Sequence, residues 1–155
     1  MIEIIQAETD EQIAEARTIF REYEAWLGLD LCFQGFEEEL ASLPGKYSPP
    51  KGRLYLAYSG DDVVGCIGLR ELEPGICEMK RLFLRESARG KGVGNQLIER
   101  LIADAHEIGY KKMRLDTYPA KMGKAVSIYE SHGFYGIPPY YKNPDEGVLF
   151  MELAL

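Results

Sequence analysis

Ile76-Cys77-Glu78-Met79-Lys80-Arg81-Leu82-Phe83-Leu84, followed by Arg89-Gly90-Lys91-Gly92-Val93-Gly94-Asn95, decides the fold. The first segment reads as a strand entered from the turn Glu73-Pro74-Gly75. The second is a glycine-rich loop. Beyond it Leu97, Ile98, Leu101, Ile102, Ala105 and Ile108 share one helical face. Glu99, Arg100, Asp104 and Glu107 form the other, and Gly109 stops the helix. Glycines permit positive φ and close backbone approach, and a helix start aims unpaired N–H groups at an anion. Arg89 and Lys91 add charge suited to a diphosphate. A tight strand-to-helix turn without a ligand is the other reading of the glycines alone. Spacing counts against two rival phosphate motifs. A Walker loop needs Lys-Ser or Lys-Thr after its glycines, and neither follows here. A dinucleotide fingerprint needs GxGxxG, whereas residues 90–94 read GxGxG and Asp116 lies beyond the expected offset of the acid.

Working outward, residues 3–6 read as a short strand, and Thr9 with Gln12 forms a capping box. Ile13, Ala16, Phe20, Tyr23 and Leu27 then recur at helical spacing up to Gly28. A second short helix over 37–43 ends at Pro44-Gly45, and 46–52 is a loop. Strands over 53–58 and 63–69 flank Ser59-Gly60-Asp61-Asp62, which carries hairpin chemistry. On the C-terminal side come a strand over 112–117 and a helix marked by Met122, Ala125, Val126 and Tyr129 that stops at Gly133. A last strand covers 148–153. The order β-α-α-β-β-β-α-β-α-β-β predicts an α/β fold with a mixed sheet.

The length of 155 residues, with 46% hydrophobic and 28% charged, predicts one domain over 1–155 with an ordinary core. Cys32, Cys66 and Cys77 form no CxxC pair and, with only two histidines, neither a disulfide framework nor a zinc site is expected. No metal is called for, and a cytoplasmic location is the expectation. No apolar run reaches membrane-spanning length, and the alternating N-terminus is no signal peptide. A net charge of −7 argues against nucleic acid as a partner.

That charge is unevenly spread. Residues 1–50 carry a net −8, whereas 80–91 and 111–124 each carry +4. Either basic island alone reads as solvated surface, but two islands favour a small polyanionic ligand.

These residues resemble the GNAT superfamily of acyl-CoA-dependent N-acetyltransferases. Its phosphate loop, [R/Q]xxGx[G/A], is matched by Arg89, Gly92 and Gly94. Its preceding strand is matched by residues 78–84, and its late A-x-x-x-Y-x-x-x-G-F by Ala125, Tyr129, Gly133 and Phe134. Met122 departs from the Asn that many members carry there. The resemblance implies a mostly antiparallel sheet splayed at a cofactor cleft and flanked by helices. It implies acetyl-CoA as co-substrate and an amine as acceptor, with a homodimer as the default assembly. Backbone groups of Leu82, Phe83 and Leu84 would pair with the pantetheine arm. Those of Arg89, Gly90, Lys91, Gly92, Val93, Gly94 and Asn95 would hold the pyrophosphate, and Lys124 would add charge.

Tyr129 would be the general acid for the departing thiolate and touch the cofactor, or else a core aromatic. Glu78, mid-strand in an apolar run, would be a general base or a partner in a salt bridge. Trp26 and Phe33 flank the join of the first helices, where members shape the acceptor site, and Tyr140 and Tyr141 would line it or cap the core. His132 belongs to a helix end, and Cys66 and Cys77 read as strand hydrophobes. The activity implied is transfer of acetyl to a primary amine in a ternary complex, with a small-molecule acceptor. A non-catalytic acyl-CoA-binding module, or a protein N-terminus or lysine acetyltransferase, is the alternative. The acidic first third predicts a cationic acceptor.

Overall fold

The computed structural model describes residues 1–29, 31 and 35–155. Along the chain run β1 (Ile2–Gln6), α1 (Asp10–Leu27), α2 (Phe36–Ser42), β2 (Arg53–Ser59), β3 (Asp62–Glu73), β4 (Ile76–Leu84) and α3 (Val93–Ile108). Then follow β5 (Lys112–Thr117), α4 (Pro119–Ser131), β6 (Tyr135–Ile137) and β7 (Leu149–Ala154). The element order matches the order expected from the sequence. The strands form one seven-stranded sheet, ordered β1-β2-β3-β4-β5-β7-β6, antiparallel throughout except for β4 beside β5. It is the mixed, mostly antiparallel α/β architecture that the resemblance implies.

Local chemistry accounts for the helix ends. Thr9 Oγ1 accepts from the Gln12 N–H at 3.1 Å, and Gln12 Oε1 accepts from the Thr9 N–H at 3.1 Å, closing the capping box. Gly28 ends α1 in the left-handed conformation. β3 runs four residues past the expected 69, because Arg70 and Glu71 stay in register with Glu78 and Cys77 across the turn at 74–75. Pro119 starts α4 earlier than its apolar stripe suggests, and Met122 interrupts it at φ −122°, ψ 34°.

The apolar residues divide between the two faces of the sheet. Leu97, Ile98, Leu101 and Ala105 of α3 pack with Ile67, Leu69, Met79 and Tyr129 on one face. Ile19 and Phe20 of α1 and Phe36 and Leu40 of α2 pack with Leu54, Leu56 and Phe83 on the other.

Two features of β4 shape everything that follows. It pairs with β5 only at Ile76, Cys77 and Glu78, and beyond that point the two strands diverge. It also carries a bulge: Cys66 faces Phe83 and Gly68 faces Lys80, so three β4 steps oppose two of β3. Arg81 takes up the extra residue at φ +61°. A side chain in that region is strained, and the neighbours must hold it there. The bulge breaks the alternation of the strand, so Lys80 and Arg81 both face the α1–α2 layer, while Met79 and Leu82 face α3.

Arg81 is secured by Glu39 of α2, through Nε to Oε2 and Nη2 to Oε1, both at 2.9 Å. Its guanidinium also lies 5.1 Å from the Phe36 ring centroid. Removing one member of a buried pair leaves the other charge uncompensated. Glu39→Ala should therefore cost about 3–5 kcal/mol of stability, read as a shift of the urea midpoint at constant m. A loss below about 1 kcal/mol would mean that the pair does not hold the bulge.

Candidate active site

Where β4 and β5 diverge, a cleft of about 640 Å³ opens between the glycine loop and α4. Leu82, Phe83 and Leu84 form its strand wall, Arg89, Gly90, Gly92, Val93, Gly94 and Asn95 its loop wall, and Pro119 to Ala125 with Ile128 its far side. Trp26 reaches in from α1. Gly90 and Gly92 adopt φ +75° and +77°, and a Cβ on either would meet nothing within 4 Å. The loop is thus a left-handed glycine backbone lying open, not one tightened to fill space. No side chain caps α3, so its first-turn N–H groups face outward from Gly92. Lys121 and Lys124 line the opposite wall.

A second, enclosed cavity of about 20 Å³ adjoins the cleft, and Leu82 and Met122 line both. Lys80, Arg81, Asp116, Thr117, Tyr118 and Tyr129 give it a polar lining. The Thr117 hydroxyl is buried and finds no hydrogen-bond partner among the described residues. The volume suits one water-sized group. Lys80 Nζ lies 3.9 Å from Asp116 Oδ1, and burial lowers the Lys80 ammonium below its usual range against the charges of Glu78 and Asp116. Asp116 also accepts from the Tyr141 hydroxyl.

Ten of the twelve residues expected to hold a cofactor line the cleft: Leu82, Phe83, Leu84, Arg89, Gly90, Gly92, Val93, Gly94, Asn95 and Lys124. Lys91 is exposed on the loop outside that lining. Tyr129 lies at the adjoining cavity, 3% exposed, with its ring 5.7 Å from Phe134. Burial, with Tyr23 and Asp116 nearby, pushes its phenol well above 10, so it stays protonated across neutral pH.

Glu78 lines neither space. It is 1% exposed; Oε1 accepts from Arg70 Nε and lies 2.9 Å from Nη2, while Oε2 accepts from the Tyr140 hydroxyl. Burial pushes this carboxyl up, but the charges of Lys80 and Arg70 and the bonds from Tyr140 and Arg70 outweigh it, leaving Glu78 below the usual range. Tyr140 and Tyr141 thus cap two buried carboxylates from the loop before β7.

Trp26 lines the larger cleft and not the polar cavity. Cys32 and Phe33 lie outside the described residues. Lys121, counted in the second basic island, was singled out by no motif. His132 caps the end of α4 and bonds Asn95 Oδ1 at 2.8 Å. Cys66 and Cys77 are buried, and burial raises both thiols, the second to about 12.

Pairing takes up part of the charge segregation expected from the sequence. Glu39 binds Arg81 and Glu22 binds Arg85, so two acids of the first third meet bases of the first island, while Glu37 binds Arg21 within that third. Arg114 and Lys112 of the second island pair with Glu152. The polar cavity carries Lys80 and Arg81 beside Asp116, so its lining holds both signs of charge. Charges far apart in sequence are neighbours once α1 and α2 cover the sheet.

A model of the acetyltransferase (GNAT) family matches residues 11–134. The chain belongs to the GNAT family. An uncharacterized N-acetyltransferase of Schizosaccharomyces pombe is 35% identical, with 99% of this chain and 95% of the relative covered. One of Dictyostelium discoideum is 34% identical, covering 100% and 99%. Among solved structures, a GNAT acetyltransferase of Staphylococcus aureus superposes with a TM-score of 0.81 at 21% identity, over 99% of both chains. A GNAT acetyltransferase of Elizabethkingia anophelis with acetyl-CoA bound gives 0.69 at 21%, over 99% and 98%. This GNAT protein is an acetyl-CoA-dependent acyltransferase, and its open glycine loop, uncapped α3 and flanking cations fit a diphosphate.

Gly92→Glu should abolish acetyl-CoA binding in calorimetry while the protein still folds, since the new side chain points into open space. The positive φ adds strain of roughly 1–2 kcal/mol. Unchanged affinity would remove the loop from the cofactor site. For Glu78, a lowered carboxyl stabilises the fold above the ordinary value of 4.5 and loses that contribution as pH falls through the lowered one. Glu78→Gln should therefore be less stable than wild type at pH 7, with the gap narrowing as the pH falls below 4.5. A gap that stays constant as the pH falls would contradict this.

Proposed function

We propose that this GNAT protein transfers an acetyl group from acetyl-CoA to a primary amine on a small molecule, by direct attack in a ternary complex. The carrying observation is the junction of an apolar-walled cleft with a small polar cavity at Leu82 and Met122, beside the buried Tyr129. Bound acetyl-CoA supplies an acyl thioester; the chain supplies the rest. Tyr129, kept protonated by burial, donates its proton to the developing thiolate. The polar cavity has room for little more than the reacting amino group, so the body of the acceptor lies outside it.

For the base, the reading favours Asp116 over Glu78. Asp116 is the carboxylate in the cavity lining, whereas both Glu78 oxygens are engaged by Arg70 and Tyr140 and face neither space. Glu78 then serves as a fixed charge that orders Arg70, Lys80 and Tyr140. Among the described residues no cysteine calls for an acyl-enzyme, because burial holds Cys66 and Cys77 as thiols.

A CoA-release screen over amines, amino acids, polyamines and aminoglycosides tests the activity; no release with any acceptor would leave the binding-module alternative. Tyr129→Phe should lower the rate by on the order of 10²-fold with acetyl-CoA affinity unchanged. Wild-type turnover by that variant between about pH 6 and 9 would make Tyr129 a core aromatic only. Asp116→Asn should lower kcat/KM more than Glu78→Gln does, with part of the loss returning as pH approaches the acceptor's own pKa. The reverse ranking would return the base role to Glu78.

A further inference from the structure

Trp26 is the single tryptophan of the chain and stands in the last turn of α1, far in sequence from the motifs of the cleft. Its ring packs 5.7 Å from Phe83, centroid to centroid. Two cations converge on it from opposite walls. The Arg89 guanidinium carbon, from the glycine loop, lies 5.1 Å from the Trp26 ring centroid and 5.7 Å from that of Phe83. Lys121 Nζ, from α4, lies 5.7 Å from the Trp26 centroid and donates to the Trp26 carbonyl oxygen at 3.4 Å. Arg89 Nε donates to the Leu84 carbonyl at 3.0 Å, which fixes the stem of that side chain.

The kind of partner matters here. Arg81 and Arg85, in the same basic island, lie against carboxylates, which take up their charge and their N–H donors. An aromatic face attracts a cation through its quadrupole but accepts none of its N–H groups in the plane of the guanidinium. A cation parked over a ring is ordered and still able to bind an anion. Both cations lie within 5.7 Å of one ring centroid, and like charges so gathered repel each other until an anion joins them. Holding two rotamer-rich side chains in place before binding removes part of the ordering cost of association.

We infer that Trp26 is a cofactor-positioning residue, which holds Arg89 and Lys121 over its ring so that both are ready for the diphosphate of CoA. The inference rests on the glycine loop being the diphosphate site. It separates Trp26 from the walls that touch the pantetheine arm, because its effect should pass only through the two cations.

The test is calorimetry of the full-length protein with CoA, and with pantetheine, which lacks the phosphates, measured by displacement of CoA. Trp26→Leu keeps an apolar side chain against Phe83 but removes the aromatic face, and Trp26→Phe keeps a weaker one. Trp26→Leu should weaken CoA about tenfold and Trp26→Phe about threefold or less, in line with two partly exposed cation–π contacts. Pantetheine should bind all three proteins within about twofold, since only the diphosphate meets the cations. Equal weakening of CoA and pantetheine, or equal effects of Leu and Phe, would show that Trp26 acts by packing and would overturn the inference alone. Absence of CoA binding by the wild-type protein would overturn the cofactor reading and this inference with it. Melting curves of the three proteins check folding, and if Trp26→Leu does not fold, the CoA-to-pantetheine ratio of Trp26→Phe decides by the same criterion.

Discussion

The ion pair between Arg81 and Glu39 is the contact on which the rest of the architecture depends. Arg81 occupies a backbone conformation that costs energy for any residue with a Cβ, and it does so inside a sheet. The strain persists because a buried bidentate carboxylate and the face of Phe36 fix the side chain. That pair docks α2 against the bulge. The bulge in turn sends Lys80 and Arg81 to one face and Leu82 to the other. β4 then parts from β5 just where a ligand needs room between two strands.

The division produces two environments that meet at one seam. The cleft is walled by aliphatic and aromatic groups and edged by backbone N–H and cations, which suits a long ligand with an anionic end. The cavity is small, enclosed and lined by charges that lie near one another. Around it, Arg70 with Glu78, Arg81 with Glu39, and Arg114 with Glu152 form pairs on a single face of the sheet. A buried charge needs such pairing, and removal of one member would disturb its neighbours. Tyr140 and Tyr141 close this layer, each ring 5.2 Å from that of Phe150 and their hydroxyls donating to Glu78 and Asp116.

The same pairing enters any charge count along the chain. A net −8 over the first fifty residues is a true statement about the sequence, but two of those acids pair with bases of the first island. Glu22 and Glu39 meet Arg85 and Arg81, and the field each would cast is largely cancelled at contact distance. What remains uncommitted to carboxylates is the smaller set of cations at the cleft, Arg89, Lys121 and Lys124 among the lining residues.

The sequence by itself determined the elements and the phosphate loop. Periodicity of 3.6 in α1 and α3, the Thr9–Gln12 box, the hairpin turn and the glycines before α3 are local features, decided by residues within a few positions of one another. The Arg89-Gly92-Gly94 pattern marks a loop that lines the cleft for that reason. The placement of Glu78, Asp116 and Trp26 came from tertiary structure. Whether a mid-strand carboxylate faces a ligand or an arginine depends on Arg70 across the hairpin and on Tyr140, sixty-two positions away. Asp116 reaches the cavity because β5 diverges from β4, and Trp26 reaches the cleft because α1 ends above Phe83. Those placements follow from the packing of distant elements, and no short-range pattern in the chain encodes them.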